Sequence, residues 1–154
     1  MKGKNLYPEI KIKKLGIKYL DHCIKLDKET LNGIWTKRQW QDELTSAKRI
    51  CLGALHQTKL IGLTSGWLAT DEINITFVGV HPLFQNQGIA SLMVLSLLSR
   101  SKEIGISIAT LEVKENNLAA KSLYENLNFH QIGFRNKLYK DGSNAVIYQY
   151  IYNS

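Results

Sequence analysis

The sequence is poor in cysteine and proline and has no long apolar run, and each shortage excludes a class of protein. Two cysteines among 154 residues, Cys23 and Cys51, are too few for a disulfide scaffold and lack metal-site spacing. Two prolines and eleven glycines exclude collagen-like and low-complexity chains. The longest apolar stretch, near Met93–Leu98, is too short to cross a bilayer. The first residues lack an apolar region, so we expect no signal peptide, and the low cysteine content makes a reducing cytoplasm the simplest location.

The composition is that of an ordinary globular domain with an uneven positive charge. Hydrophobic residues make up 44% and charged residues 21%, and the length predicts a single domain over residues 1–154. The net charge is +7, and residues 1–50 carry 12 Lys and Arg against 6 Asp and Glu. This basic third could face RNA, a ribosome or an acidic substrate, or it could be an ordinary solvated surface. No RNA-binding aromatic motif or zinc knuckle is present, so we expect no direct nucleic-acid partner.

Hydrophobic periodicity predicts an α+β fold, one sheet with helices on both faces. The predicted order is β-α-α-β-β-β-α-β-α-β-β. Thr36 and Gln39 form a capping box at the start of the second helix, with Trp35 and Trp40 in the positions of a hydrophobic staple. The predicted elements are Glu9–Leu15, Ile17–Leu26, the helix after Thr36, Ile50–Leu55, Leu60–Leu68, Ile73–Val80, Gly88–Glu103, Ile106–Val113, Leu118–Leu127, Phe134–Tyr139 and Ala145–Ile151.

Three finer expectations follow from the same patterns. Alternation places Ile73, Ile75 and Phe77 on one face of their strand, and Gly79 near its end suggests a bulge or a close backbone approach. The helix from Gly88 to Glu103 is apolar nearly all round, which predicts that it is well buried. The pair Asp141-Gly142 predicts a hairpin between the last two strands.

A strand, a glycine-containing turn and a helix start follow one another at Phe77–Ala90, and together they favour anion binding. The first-turn N–H groups of a helix have no intrahelical partner, and the helix dipole adds positive potential there. Gly88 would let a phosphate approach the backbone. Alone, the pattern Gln-x-x-Gly-x-Ala of Gln85–Ala90 is weak, and it is neither a Walker A loop nor a dinucleotide fingerprint.

Further motifs follow in order along the chain. Leu111-Glu112-Val113 ends a strand, Asn117 stands five residues after the Glu, and Tyr124 stands twelve after it within Leu-Tyr-Glu-Asn-Leu-Asn-Phe. Together with the Gln85–Ala90 turn, this series resembles the GNAT acetyltransferase superfamily, and within it the RimI group of ribosomal-protein alanine N-acetyltransferases. The resemblance covers roughly residues 50–150 and includes Arg135-Asn136, Tyr139 and Asp141-Gly142. It implies a mixed, mostly antiparallel sheet that splays between its fourth and fifth strands.

The resemblance implies acetyl-CoA as co-substrate and assigns residues to its binding. Backbone groups of the splayed strand would meet the pantetheine arm and the thioester carbonyl, the turn would bind the pyrophosphate, and Asn117 would both cap the last helix and contact the pantetheine. Asn86 and Ala90 replace a common Arg and Gly of the family, and Asn128 replaces a Gly whose left-handed conformation Asn tolerates. The cofactor-binding residues so implied are Val78, Gly79, Val80, Gln85, Asn86, Gln87, Gly88, Ile89, Ala90, Asn117 and Tyr124.

The same resemblance assigns Glu112 as general base and Tyr124 as general acid, with Trp35, Glu112 and Tyr139 on the acceptor side. The alternative for Glu112 is an ion pair with Lys114 or Lys121, and for the aromatic residues it is core packing. The four histidines are scattered singly, so we expect no metal.

The implied reaction is direct acetyl transfer to the N-terminal α-amine of a protein, with a ribosomal protein beginning in alanine as the implied acceptor and no membrane partner. Because no covalent enzyme intermediate is needed, neither cysteine should be essential. Two alternatives stay open, namely acetylation of lysine or a small amine, and a non-catalytic acetyl-CoA-binding module.

Overall fold

The computed structural model describes residues 9–136 and 139–153, and the order of elements there is the predicted one. Short 3₁₀ turns at Ile17–Tyr19 and Pro82–Phe84 precede two of the helices. The helices are α1 (Leu20–Leu31), α2 (Lys37–Thr45), α3 (Ile89–Glu103) and α4 (Leu118–Asn126); the strands are β1 (Ile10–Lys14), β2 (Arg49–His56), β3 (Lys59–Ala69), β4 (Glu72–Val80), β5 (Ile108–Lys114), β6 (His130–Arg135) and β7 (Ala145–Ile151).

The strands form one mixed sheet in the order β1-β2-β3-β4-β5-β7-β6, and this confirms the α+β fold. All neighbouring pairs are antiparallel except β4 and β5, which run parallel. The β4–β5 pairing stops at Ile75 and Leu111, although β4 continues to Val80 and β5 to Lys114. The sheet therefore opens between these two strands, as predicted.

Helices cover both faces of the sheet. Residues of α1 and α2, such as Leu26 and Trp40, pack with Phe77 in one buried cluster, and residues of α3 and α4, such as Leu97 and Tyr124, pack in another. Within the described ranges, no helix is long and apolar enough to span a membrane.

A β-bulge at Thr76 corrects two predictions about β4. Ser65 and Gly66 on β3 oppose Phe77 and Ile75 on β4, so Thr76 is an extra residue on β4. Because side chains alternate with a period of two, one extra residue moves those that follow to the other face. Phe77 therefore packs with α1 and α2, whereas Ile75 packs with α3 and α4, and the prediction of a shared face is wrong for Phe77.

Gly79 is not the bulge, since it pairs in regular register with Leu63. The close approach predicted there is confirmed, because a Cβ atom on Gly79 would lie 3.1 Å from Oγ1 of Thr30 on α1. Gly79 thus lets the end of α1 lie directly against the splayed part of β4.

The segment between α1 and α2 is held by a capping box and a buried carboxylate. The Thr36 side chain accepts from the Gln39 N–H, and the Gln39 side chain accepts from the Thr36 N–H, as predicted. The predicted staple is also present, with the Trp35 and Trp40 ring centroids 4.6 Å apart. Asp27, fully buried, accepts from the Trp35 N–H and from Nε1 of Trp40 at 3.0 Å. These bonds fix the chain's entry into α2 beside the open part of the sheet.

Two further predictions need correction. The first is the burial of α3, where Leu92 and Leu95 are 45% and 49% exposed. The sheet covers only one side of this helix, so its apolar outer side meets solvent.

The second concerns the final hairpin, whose predicted first strand, Phe134–Tyr139, is instead β6 at His130–Arg135; Lys137 and Leu138 lie outside the described residues. The hairpin itself is confirmed, since β6 pairs antiparallel with β7. Asp141 in the connection accepts from the Ser143 N–H and pairs with Lys114 at 3.0 Å, which ties the connection to β5.

Candidate functional site

The turn after β4 presents a helix start that no side chain caps. Gly88 is the N-cap residue of α3 with φ +82°, and no side chain bonds to the first-turn N–H groups there. In contrast, Thr36 and Asn117 cap α2 and α4 through their side chains. Asn86 also has a positive φ, +62°, which asparagine tolerates better than other non-glycine residues. The turn therefore leaves the N–H groups and the positive end of the α3 dipole available to an anion.

A cavity of about 350 Å³ lies in front of this turn, between the splayed end of β4 and α4. Gln85 reaches back to β4, because its Nε2 donates to the Val80 carbonyl at 3.0 Å. Gln87 is exposed and does not line the cavity. The residues of this cavity that the sequence had singled out are Val78, Gly79, Val80, Gln85, Asn86, Gly88, Ile89, Ala90, Asn117 and Tyr124, and the others are Phe84, Ser91, Ala119, Ala120 and Leu123.

A second cavity, of about 330 Å³, opens where β4 and β5 part, and it contains Glu112 and Tyr139. Val78, Asn117 and Tyr124 line both cavities. A molecule that extends from the turn along β4 therefore reaches the space in which Glu112 lies.

Tyr124 stands at the junction of the two cavities and is almost completely buried. Its ring packs edge-on against Phe129, with the centroids 5.5 Å apart. Burial raises the pKa of the Tyr124 phenol above its ordinary value, so the hydroxyl holds its proton throughout the physiological range. A protonated hydroxyl in this position can donate to a developing anion.

Glu112 forms an ion pair, but with a different partner from those that the sequence suggested. Nε of Arg135 lies 3.1 Å from Oε2 of Glu112, whereas Lys114 pairs with Asp141 and Lys121 donates to the Glu115 carbonyl. The Glu112 side chain is 28% exposed, so the carboxylate lies inside the cavity with access to solvent. Burial, and then the charge of Glu112, raise the pKa of Tyr139, which places this phenol in the field of the carboxylate.

The splayed end of β4 supplies backbone donors between the two cavities. The His81 N–H donates to Ile61 on β3 at 2.7 Å. Because the bonds of a strand alternate in direction, the N–H groups of Val78 and Val80 point away from β3, toward the opening. Donors placed in this way can stabilise a carbonyl oxygen that gains negative charge.

Trp35 lies in a separate cavity of about 180 Å³ and not in the one that contains Glu112. Its ring packs against Phe77, with the centroids 5.5 Å apart, as in ordinary aromatic packing. Glu43 also lines this cavity; burial raises its pKa, and a hydrogen bond from Ser65 and the charge of Arg49 oppose that shift. Thr76 lines both this cavity and a neighbouring space beside Glu112. Thr76 therefore separates the cavity that contains Trp35 from the space that contains Glu112.

Sequence reasoning missed the polar face on which Glu112 stands. Asn74 and Thr76 line a space beside Glu112 together with Arg135 and Tyr139. Thr110 links the strands there, since it accepts from Asn74 at 3.0 Å and donates to Glu72 at 2.8 Å. The sequence signal for this polar face is the alternation of polar residues along Glu72–Thr76, whereas the predictions for this strand rest only on its apolar residues. Among the described residues, no three His, Cys, Asp or Glu side chains are placed to hold a metal ion.

Comparison with known proteins gives a consistent family. The model of the acetyltransferase (GNAT) family matches residues 19–129. The chain is 35% identical over 105 residues to the [ribosomal protein bS18]-alanine N-acetyltransferase of Haemophilus ducreyi, covering 66% of this chain and 72% of the relative.

Two solved structures share the fold. The first is the crystal structure of the ribosomal-protein-S18-alanine N-acetyltransferase from Escherichia coli, with a TM-score of 0.87 at 21% identity. The superposition covers 94% of this chain and 95% of the Escherichia coli chain. Arabidopsis thaliana NAA60 in complex with acetyl-CoA has a TM-score of 0.84 at 15% identity, with coverages of 94% and 99%.

Proposed function

This chain belongs to the acetyltransferase (GNAT) family and is an acetyl-CoA-dependent N-acetyltransferase, and we propose that its acceptor is the α-amine of a protein N-terminus. More narrowly, we propose the N-terminal alanine of a ribosomal protein, because the relative from Haemophilus ducreyi carries that activity in its name. We also propose that residues 1–154 act as one domain in the cytoplasm.

The observation that carries this proposal is the junction of the two cavities at Val78, Asn117 and Tyr124. The uncapped start of α3 suits a pyrophosphate, and the path along β4 from that turn leads to Glu112. The two halves of an acetyl transfer, a bound acetyl donor and an acceptor amine, then meet beside Tyr124. The cofactor-binding residues of the proposal are Val78, Gly79, Val80, Gln85, Asn86, Gly88, Ile89, Ala90, Asn117 and Tyr124, with Gln87 contributing through its backbone only.

Glu112 is the proposed general base. An α-ammonium group has a pKa of about 7.7–8.0, so much of the acceptor is unreactive at neutral pH until a proton is removed. The Glu112 carboxylate, directly or through one water, removes this proton, and the neutral amine then attacks the acetyl carbonyl.

The N–H groups of Val78 and Val80 stabilise the oxyanion that forms in this attack, and Tyr124 donates its proton as the thiolate leaves. The acceptor nitrogen loses two protons in all, one from the ammonium before the attack and one after it, and Glu112 passes both to solvent. The sulfur of coenzyme A receives one proton from Tyr124, whose phenolate then regains a proton from solvent, so that one proton is released overall.

The acceptor class is tested by a comparison of two peptides of matched sequence. One begins with a free alanine, and the other has a blocked N-terminus and an internal lysine; incorporation of acetyl groups is located by mass spectrometry. We expect modification of the alanine α-amine. Acetylation of the lysine instead would contradict the proposed acceptor, and binding of acetyl-CoA with no turnover on any amine would contradict catalysis.

A further inference from the structure

Arg135 is the cation that the structure places against the proposed base. Arg135 ends β6, and its Nε lies 3.1 Å from Oε2 of Glu112 on β5. The strand β7 lies between the two, with Ala145 opposite Arg135 and Ile147 opposite Glu112. Strands are spaced about 4.8 Å apart, so the Arg135 side chain reaches roughly 10 Å across β7 to make this contact.

The pair stands at the mouth of the acceptor space, not in the core. Arg135 and Glu112 line the same cavity, and their side chains are 63% and 28% exposed. An exposed ion pair of this kind contributes at most about 1 kcal/mol to folding stability. The ion pair therefore matters little for folding stability, and its position beside the proposed base points to a role in the reaction.

The other charged and titratable groups around Glu112 come from three elements. Tyr139 from the β6–β7 loop and Tyr124 from α4 line the adjoining cavity, and both are neutral phenols at working pH. Lys114 on β5 lies 5.2 Å from the centre of the Tyr139 ring, but its charge is paired with Asp141. Among the residues that the structure describes around Glu112, Arg135 is accordingly the cation in direct contact with the carboxylate.

We propose that Arg135 is a positioning residue that holds the Glu112 carboxylate in the orientation that faces the acceptor. The inference rests on the proposed function, because it takes Glu112 as the base. The contact is made through Oε2 of Glu112. A guanidinium held against one carboxylate oxygen restricts rotation of the Glu112 side chain, and a base must lie within hydrogen-bond reach of the proton that it takes.

The test compares Arg135→Gln, which removes the charge, with Arg135→Lys, which keeps it. Lys102→Gln, at the exposed end of α3, is the matched control for the loss of one positive charge. With the alanine-starting peptide, we expect kcat to fall by about tenfold or more in Arg135→Gln, with KM for acetyl-CoA little changed, because the base is no longer held in place. The kcat should stay near the wild-type value in Arg135→Lys and Lys102→Gln. A kcat that does not fall in Arg135→Gln would overturn the inference.

A second measurement does not depend on turnover. NMR couplings of the Glu112 side chain in enzyme without acceptor should show one dominant rotamer in wild type and averaged rotamers in Arg135→Gln, and equal populations would overturn the inference. If the wild-type enzyme fails to acetylate the peptide, the proposed acceptor is wrong, and the rotamer measurement still decides whether Arg135 positions Glu112.

Discussion

Replacing Tyr124 by phenylalanine tests the proposed acid with a change of one hydroxyl group. Tyr124 is 6% exposed and its ring packs on Phe129, and phenylalanine keeps that contact. Because burial raises the pKa of the phenol, the wild-type hydroxyl is protonated at every working pH, and its loss should lower the rate without displacing the pH profile.

The expected size follows from the leaving group. General acids contribute about 10²- to 10⁴-fold, and a thiol with a pKa near 8.5 leaves as thiolate more readily than an alkoxide would. We therefore expect the lower end, a fall in kcat of about 10²-fold, or about 2.7 kcal/mol in activation free energy. KM for acetyl-CoA should change little, since the lost interaction matters mainly as the thiolate leaves.

Steady-state kinetics on the alanine-starting peptide, with Tyr148→Phe as matched control, decide the matter. The Tyr148 hydroxyl donates to Glu125 at 2.7 Å and lines neither of the two joined cavities. Its removal should lower the free energy of unfolding by about 1.5–3 kcal/mol and leave kcat unchanged. A kcat for Tyr124→Phe within about fivefold of wild type would refute the assignment of Tyr124 as the acid.

Three further predictions concern the turn, the base and the cysteines. Gly88→Glu should abolish acetyl-CoA binding in calorimetry, because it brings a negative charge to the phosphate site. Gly88→Ala has the same backbone strain of about 1–2 kcal/mol at φ +82° but no charge, so it should weaken binding far less, and equal affinities of the two variants would contradict a phosphate site there. Glu112→Gln should lower the rate and move its rise with pH toward the intrinsic amine pKa of about 7.7–8.0, so that alkaline pH partly restores activity; a profile identical to wild type would mean that the base lies elsewhere. The Cys23→Ser, Cys51→Ser double variant should lose stability, since both side chains are buried, but keep its kcat, and a trapped acetyl-cysteine on the kinetic path would contradict direct transfer.

The elements of the fold were predictable because their signals are local. The capping box at Thr36, the Asn117 cap and the left-handed Asn128 depend on residues a few positions apart, and the structure confirms all three. Apolar periodicity likewise located every strand except β6 to within two residues. The motifs around Gln85 and Glu112 predicted a set of site residues, and the structure brings most of that set to two joined cavities.

What the sequence did not reveal depends on contacts between strands that are distant along the chain. The bulge at Thr76 exists only relative to β3, so alternation within β4 could not show that Phe77 faces the other way. The partner of Glu112 was sought among nearby lysines, yet Arg135 reaches it only because β7 folds back between β5 and β6. The exposure of Leu92 and Leu95 similarly depends on how far the sheet extends over α3.

The bulge also accounts for the opening in which the chemistry is proposed to occur. The last β4–β5 pair, Ile75 with Leu111, comes directly before Thr76, and a bulge bends its strand and increases the local twist. Backbone groups that leave a ladder need new partners. Gln85 supplies one for the Val80 carbonyl, since its Nε2 donates to that oxygen at 3.0 Å.

This bond satisfies an acceptor and provides nothing to the N–H groups of Val78 and Val80 that β4 directs into the opening. The opening consequently offers donors to a ligand, which suits a polarised carbonyl. A strand that had kept its pairing with β5 would bury these donors in the ladder, and Glu112 and Tyr124 would then have no space between them for an acetyl group.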